Sequence, residues 1–294
     1  MRLGISLPVF TEDPSRPLAA AARAAACGVE AVFSPDHFFP PAFYPPSGPD
    51  RPALEAFTVL SAVAASQPGL GVGTLVARVT LRPTGLLAKQ AAALDHLSGG
   101  RAIIAMGTGD RASLPEHERF GLPFPPVRER LLMLEETVLA LRDLFAGRAW
   151  TGGEVVPPLR GPLVPSGSPA LWVGGLSDGV IAIAARVADA WNGWGLDADA
   201  FAAKASLLRR CAVDRDVSPT WGGIVLVGED TRDLEHLLRR REERGLEMEG
   251  VWSGTSDNLR SFAGRLEDAG ATWFVALPAG PPDRIEVISE ALRE

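Results

Sequence analysis

ALDHLSGGRAIIAMGTGDR, residues 93–111, decides how this chain is read. Extended by Ala112, it ends in Gly-x-Gly-x-x-Ala directly after an apolar run, the pattern of a dinucleotide-binding turn. Such a turn must open a helix at once, so that the helix N-terminus faces a pyrophosphate. Here Gly107-Thr108-Gly109-Asp110 runs into Ala112-Ser113-Leu114-Pro115, and the next strong helical period begins at Val127. The match is therefore incidental, and the loop needs another explanation.

Outward from this stretch, short apolar or β-branched runs alternate with longer Ala/Leu/Arg segments of helical period. Strands are predicted at Leu3 to Leu7, Glu30 to Phe33, Leu70 to Val76, Ala102 to Met106, Ala170 to Val173, Asp189 to Trp191, Gly222 to Val227 and Trp273 to Leu277. Helices are predicted at Arg16 to Cys27, Leu54 to Ala65, Thr84 to Leu97, Val127 to Phe145, Gly179 to Val187, Ala200 to Cys211, Arg232 to Arg244, Ser256 to Ala269 and Ile285 to Leu292. Eight βα units without a break imply an α/β chain folded as one (β/α)8 TIM barrel over residues 1–294, with insertion segments. Residues 111–126 and 147–168 are the insertions. The first follows a strand and is the better lid; the second precedes one and belongs nearer the opposite end of the barrel.

The chain has 294 residues, is 46% hydrophobic and carries a net charge of -7. That composition supports a sizeable core, and the acidic balance with scattered arginines argues against a nucleic-acid surface. A small-molecule substrate is the expected partner. The N-terminus Met-Arg-Leu-Gly-Ile-Ser-Leu-Pro lacks a signal-peptide pattern and no apolar run is long enough to span a bilayer, so a cytoplasmic protein without a membrane partner is expected. Cys27 and Cys211 cannot make a disulfide framework and read as buried free thiols. No metal is expected: His117, between Glu116 and Glu118, has no spaced ligand set and reads as part of a solvated loop, and His236 reads as surface.

Barrel active sites assemble where strands end, so the strand ends supply the candidates. After the second strand stand Asp36 and His37, an acid beside the one side chain that exchanges a proton near neutrality; the alternative is a turn cap and a packed ring. After the third, Thr74, Leu75 and Val76 run apolar into the mouth, as a backing for a flat ring or as plain core. After the fourth, Gly107 and Gly109 admit a ligand to the backbone, while Thr108 and Asp110 offer a hydroxyl and a carboxylate. After the fifth, Gly174, Gly175, Leu176 and Ser177 open directly into a helix and form a phosphate cradle, with Ser177 also readable as an ordinary N-cap and Asp178 required to point away.

Together these stretches resemble the luciferase-like monooxygenase superfamily across essentially the whole chain. The resemblance rests on Asp36-His37, on Leu94-Asp95-His96-Leu97-Ser98-Gly99-Gly100-Arg101, on Gly107-Thr108-Gly109-Asp110 and on Ala184 to Trp191, where Ala190 replaces the usual glycine. The Leu94 to Arg101 run is its most specific element and reads as a structural helix stop.

The resemblance implies a cofactor of one of two kinds, coenzyme F420 or FMN. It also implies a non-prolyl cis peptide at Leu75-Val76 in a bulge behind the cofactor ring, a phosphate held by Gly174 to Ser177, a homodimer, and a flavin or F420 reductase as cofactor supplier. On the F420 reading, His37 exchanges the substrate proton, Asp36 orients it or contacts the ring, and Asp110 is a second acid/base. The residue after Gly-Thr-Gly is usually glutamate, and a tryptophan usually follows the Asp-His pair. Phe38-Phe39-Pro40-Pro41 stands there instead, so sugar-phosphate oxidation is not expected. The Gly-Thr-Gly-Asp acid and a high-GC composition, with lysine only at Lys89 and Lys204, favour F420. The alternatives are an FMN-dependent monooxygenase closed by residues 111–126, and a non-catalytic flavin-binding paralogue. Phe38 to Tyr44, the lid and Trp194 would shape the substrate pocket.

Overall fold

The computed structural model describes residues 1–41, 44 and 47–293. Its strands are β1 (Arg2–Ser6), β2 (Ala31–Ser34), β3 (Gly71–Arg78), β4 (Ala102–Gly107), β5 (Ala170–Gly174), β6 (Ala190–Trp194), β7 (Ser218–Gly228), β8 (Val251–Thr255) and β9 (Trp273–Pro278). Its α-helices are α1 (Ser15–Ala26), α2 (Ala56–Ser66), α3 (Thr84–Ser98), α4 (Leu114–Arg119), α5 (Val127–Phe145), α6 (Asp178–Val187), α7 (Ala198–Cys211), α8 (Thr231–Glu243), α9 (Ser256–Asp268) and α10 (Arg284–Arg293).

All pairings between these strands are parallel. The barrel closes in the order β1-β2-β3-β4-β5-β6-β7-β9, and β9 returns to β1. Those are the eight strands expected. β8 is the addition: it pairs with Ile224 to Gly228 of β7, beyond Ser218 to Gly222 where β7 pairs with β6. One long strand thus serves two neighbours along a single edge.

Inward-facing side chains fill the barrel. Phe33, Trp172 and Trp273 meet with ring centroids 5.6 to 6.0 Å apart, bedded among Ala31, Ile103, Ala105, Ala190 and Val275. Each large side chain buried this way contributes about 1.5–3 kcal/mol. Nearer the C-terminal ends of β7 and β9, Ile224, Leu226, Leu277 and Ala279 continue the apolar lining with Trp194 and Tyr44 packed on them.

The Leu94 to Arg101 run ties three elements together. Gly99 ends α3 in the left-handed conformation at φ 67°. Asp95, buried, accepts hydrogen bonds from the Ala102 amide at the start of β4 and from the Ser168 amide ahead of β5. Residues 147–168 do not stay at that end, however. Val155 to Leu159 share a cavity of about 340 Å³ with Val79 to Gly85, which follow the C-terminal end of β3, so the segment runs along the barrel toward its active face.

Cys27 and Cys211 are free and half-buried, and burial pushes the Cys27 thiol up. Among the described residues, no helix is long and apolar enough to cross a membrane.

Candidate active site

β3 carries the first feature. Thr74 pairs with Ile104 and Ala77 with Met106, so two residues, Leu75 and Val76, oppose the single Ala105. The peptide between them is cis, at the position the resemblance implied. Thr74 is fully buried and its hydroxyl donates to the Ala105 carbonyl at 2.9 Å, while Leu75 joins the barrel interior. Of the three, Val76 alone is half-buried and reaches the mouth.

Val76 lies across the ends of β4 and β5. A Cβ on Gly107 would fall 2.7 Å from Val76 Cγ2, and one on Gly174 would fall 2.5 Å from Val76 Cγ1. Glycine at both positions is what lets the valine form a low apolar shelf. These residues fit a planar ring laid over that shelf.

Beside the shelf, Gly174 to Ser177 leads into α6. Gly175 is held by its amide to the Asn192 carbonyl at 3.2 Å and by its carbonyl, which accepts from Trp191 Nε1 at 2.8 Å. Ser177 caps the helix, its Oγ accepting from the Val180 amide. Asp178 points outward to Lys204 at 2.7 Å, leaving the amides ahead of Val180 and the positive end of the helix dipole for an anion. Leu176 is exposed.

Asp36 and His37 diverge. Asp36 is buried and takes a bidentate bond from Arg82, 2.8 Å to each oxygen, plus the Arg78 amide at 3.0 Å. It does not orient the imidazole. That partner is Glu116 of α4: its Oε1 lies 2.7 Å from His37 Nδ1, and its Oε2 accepts from the Phe38 amide at 2.6 Å. Arg78 grips the same carboxylate with both terminal nitrogens, at 3.1 and 2.7 Å, and donates Nε to the Asp36 carbonyl. Burial by itself would raise the Glu116 carboxyl, but the bonds and charges of His37 and Arg78 outweigh it and hold the group below its ordinary value.

The segment 111–126 is therefore pinned to the barrel. Arg111–Ser113 form one 3-10 turn, capped by Asp110, whose Oδ1 accepts from the Ser113 amide and hydroxyl. His117 is fully buried rather than solvated, with Nδ1 2.8 Å from the Pro123 carbonyl and Nε2 3.3 Å from Thr80. Burial holds its imidazole below the ordinary value. Arg130 of α5 ties down the glycine loop by donating to the Thr108 and Gly109 carbonyls while its guanidinium lies over Phe124. At the rim Phe38 stacks on Phe120 at 4.2 Å, and Tyr44 packs on Phe10 at 4.7 Å. Ala42 and Phe43, also expected to shape the pocket, lie outside the described residues.

Arg78, Arg82 and Arg130 were not singled out from sequence, and Glu116 and His117 were read only as part of a solvated loop, whereas both are buried. Two arginines four apart at a strand end, and Ser113-x-x-Glu116 with Pro115 between as a helix-start pattern, were the available signals.

A family model for luciferase-like monooxygenases matches residues 1–289. The pyrimidine monooxygenase RutA of Escherichia coli (strain SMS-3-5 / SECEC) is 30% identical over 233 residues, which cover 71% of this chain and 62% of the relative. The chain thus spans about three-fifths of the length of the curated relatives it matches. An F420-dependent secondary alcohol dehydrogenase in complex with an F420-acetone adduct superposes with a TM-score of 0.81 at 16% identity, covering 99% of this chain and 98% of that one. The EDTA monooxygenase of Chelativorans sp. BNC1 gives 0.80 at 16% identity, covering 99% and 92%. At such identities the two superpositions establish the fold. With nearly its full length inside the family model, this chain belongs to the luciferase-like monooxygenase family.

Proposed function

We propose that this protein is a deazaflavin-dependent oxidoreductase that uses coenzyme F420 to move a hydride to or from a small alcohol, carbonyl compound or activated alkene. The observation that carries the reading is the pairing of a glycine-flanked apolar shelf at Val76 with a half-buried His37 held by the buried Glu116 carboxylate at the same barrel mouth. When bound, the cofactor supplies a ring carbon that accepts or donates hydride. Val76 backs that ring, Gly107 and Gly174 allow the close approach, and the N-terminus of α6 with Ser177 takes the phosphate. His37 exchanges the proton that accompanies the hydride. Asp36 acts through Arg82 and Arg78, which it anchors. Asp110 keeps Oδ2 outside its cap bonds and is the second proton-exchange group.

The similarity to RutA favours a second reading, an FMN-dependent monooxygenase that receives reduced flavin from a separate reductase. A binding-only paralogue has no use for a histidine held by a fully buried carboxylate. A homodimer is part of the proposal in either case.

Titrating the apoprotein separately with oxidised F420 and with FMN, by cofactor fluorescence, tests the assignment. F420 binding at about micromolar Kd, near -8 kcal/mol, with FMN at least tenfold weaker, is expected. Preferential binding of FMN overturns the deazaflavin reading in favour of the monooxygenase. Loss of turnover in His37→Ala with cofactor binding retained separates both from a binding module.

A further inference from the structure

We propose that Glu116, carried on α4, is the positioning residue that fixes His37 in its Nδ1–H tautomer and so makes Nε2 the proton acceptor of the barrel mouth. The inference deepens the oxidoreductase reading and rests on it for its use in catalysis.

A neutral imidazole carries one proton, and the group facing each nitrogen decides where it sits. Glu116 Oε1 stands 2.7 Å from Nδ1. The Nε2–H tautomer would set the Nδ1 lone pair against a carboxylate oxygen at that distance, acceptor against acceptor. Protonation of the carboxylate instead is opposed by Arg78, whose two terminal nitrogens neutralise it at 2.7 and 3.1 Å. Glu116 is fully buried, so water cannot take over either contact. Asp36, next to His37 in the chain, cannot substitute because its two oxygens are engaged by Arg82 and the Arg78 amide.

The Phe38 amide donates to Oε2 of the same carboxylate, so the backbone immediately after His37 is fixed along with its ring. In alcohol oxidation the substrate O–H bond breaks and its proton passes to Nε2. A bound deazaflavin would supply the acceptor for the hydride from the adjacent carbon, which would leave a carbonyl. The resulting imidazolium faces a carboxylate that is already ionised, so no second proton moves. Glu116 touches neither substrate nor cofactor in this scheme. It works through His37, from a segment that folds over the barrel rather than from the barrel itself.

The four histidines of the chain make the test tractable. Long-range 1H–15N correlation spectra of the 15N-labelled apoprotein, in alkaline buffer where imidazoles are neutral, report the tautomer directly, and His37→Gln assigns the signal. A single Nδ1–H tautomer at His37 in the wild type supports the proposal; an Nε2–H tautomer or an even mixture overturns it, without any variant being needed. Because Glu116→Ala strands Arg78 in the interior, the second arm is Glu116→Leu combined with Arg78→Met, an apolar exchange of similar volume. There the Nδ1–H preference should collapse to a mixture or invert, and a retained single Nδ1–H form overturns the proposal. Turnover should fall at least tenfold in that variant while its cofactor Kd stays within about threefold of wild type. If the wild type binds neither cofactor, the oxidoreductase reading fails while the tautomer result stands on its own.

Discussion

Gly174→Ala tests the Val76 shelf most directly. The new methyl would lie 2.5 Å from Val76 Cγ1, whereas its next neighbours, Asn192 Cβ and the Asn192 carbonyl oxygen, stand at 3.9 Å. Carbon atoms in contact prefer about 3.5–4.0 Å, so the overlap exceeds an ångström and falls on one side chain. Both flanking strands of β5 are fixed by ladder bonds in a closed barrel, which leaves Val76 to move. Overpacking of this kind costs about 1–3 kcal/mol. Adding Val76→Ala deletes both methyls that clash, so the double variant should regain most of that loss, with a coupling energy of about 1–2 kcal/mol.

Gly107→Ala provides the internal control. Its Cβ would meet Val76 Cγ2 at 2.7 Å but also the Gly174 carbonyl at 3.3 Å, and backbone does not yield as a valine does. Rescue by Val76→Ala should therefore be less complete there than at Gly174. Guanidinium unfolding, followed through the chain's seven tryptophans at constant m-value, measures each corner of the two cycles. Additivity of Gly174→Ala and Val76→Ala within about 0.5 kcal/mol would refute the reasoning. Recovered stability should not restore cofactor affinity, since the double variant has no shelf to offer.

Asp36→Asn should cost about 3 kcal/mol, because it removes the bidentate counter-charge of Arg82 at a site where the two side chains are 10% and 5% exposed and leaves only the half-exposed Glu55 carboxylate at 3.8 Å; a loss under about 1 kcal/mol in the same assay would contradict the geometry. Glu136→Ala removes the acceptor of the Glu154, Val155 and Val156 amides, so hydrogen exchange should accelerate at least tenfold at those three amides and remain unchanged in the barrel strands. His117 gives a pH signature. With its folded value depressed by burial, the unfolded chain binds more protons as the pH drops below about 6.5, so stability is full above that value and is lost as the pH falls through it toward the folded value. His117→Leu should flatten the dependence of Tm on pH between about 6.5 and 5, and an unchanged slope would assign that dependence elsewhere.

The barrel strands were legible because each is a buried run between turn residues; their register was not, since it is fixed only by the pairing of one strand with the next. β8 was not: Val251–Thr255 is short, largely half-exposed, and bounded by Gly250, so its pattern is that of a loop. The first half of β7 was hidden by Pro219, which sits near the strand's start where a missing amide is tolerated. α4 escaped because six residues with four charged or histidine side chains show no apolar face, although Glu116 and His117 are its buried positions. The glycine loops of the site were visible since close approach demands glycine itself. The partner of His37 was not, because 79 residues separate it from Glu116 and only the fold brings them together. Neighbours in an extended segment point to opposite sides, and that is why Asp36 turns to Arg82 while His37 turns to Glu116.

The same geometry constrains how the segment 111–126 can behave as a cover. Lifting α4 away from the barrel would break the His37, Phe38 and Arg78 bonds to Glu116 together and would uncover a carboxylate and a guanidinium that are now paired in the interior. It would also withdraw His117 from Thr80. Separating a buried ion pair costs several kcal/mol, so the seated arrangement dominates the population. Under the proposed role of Glu116, a molecule with this segment raised lacks the group that prepares His37 to take a proton. Admission of substrate past α4 and proton transfer are then mutually exclusive states of one chain. On the proposed function, substrate would then meet a competent histidine only with α4 seated and water displaced.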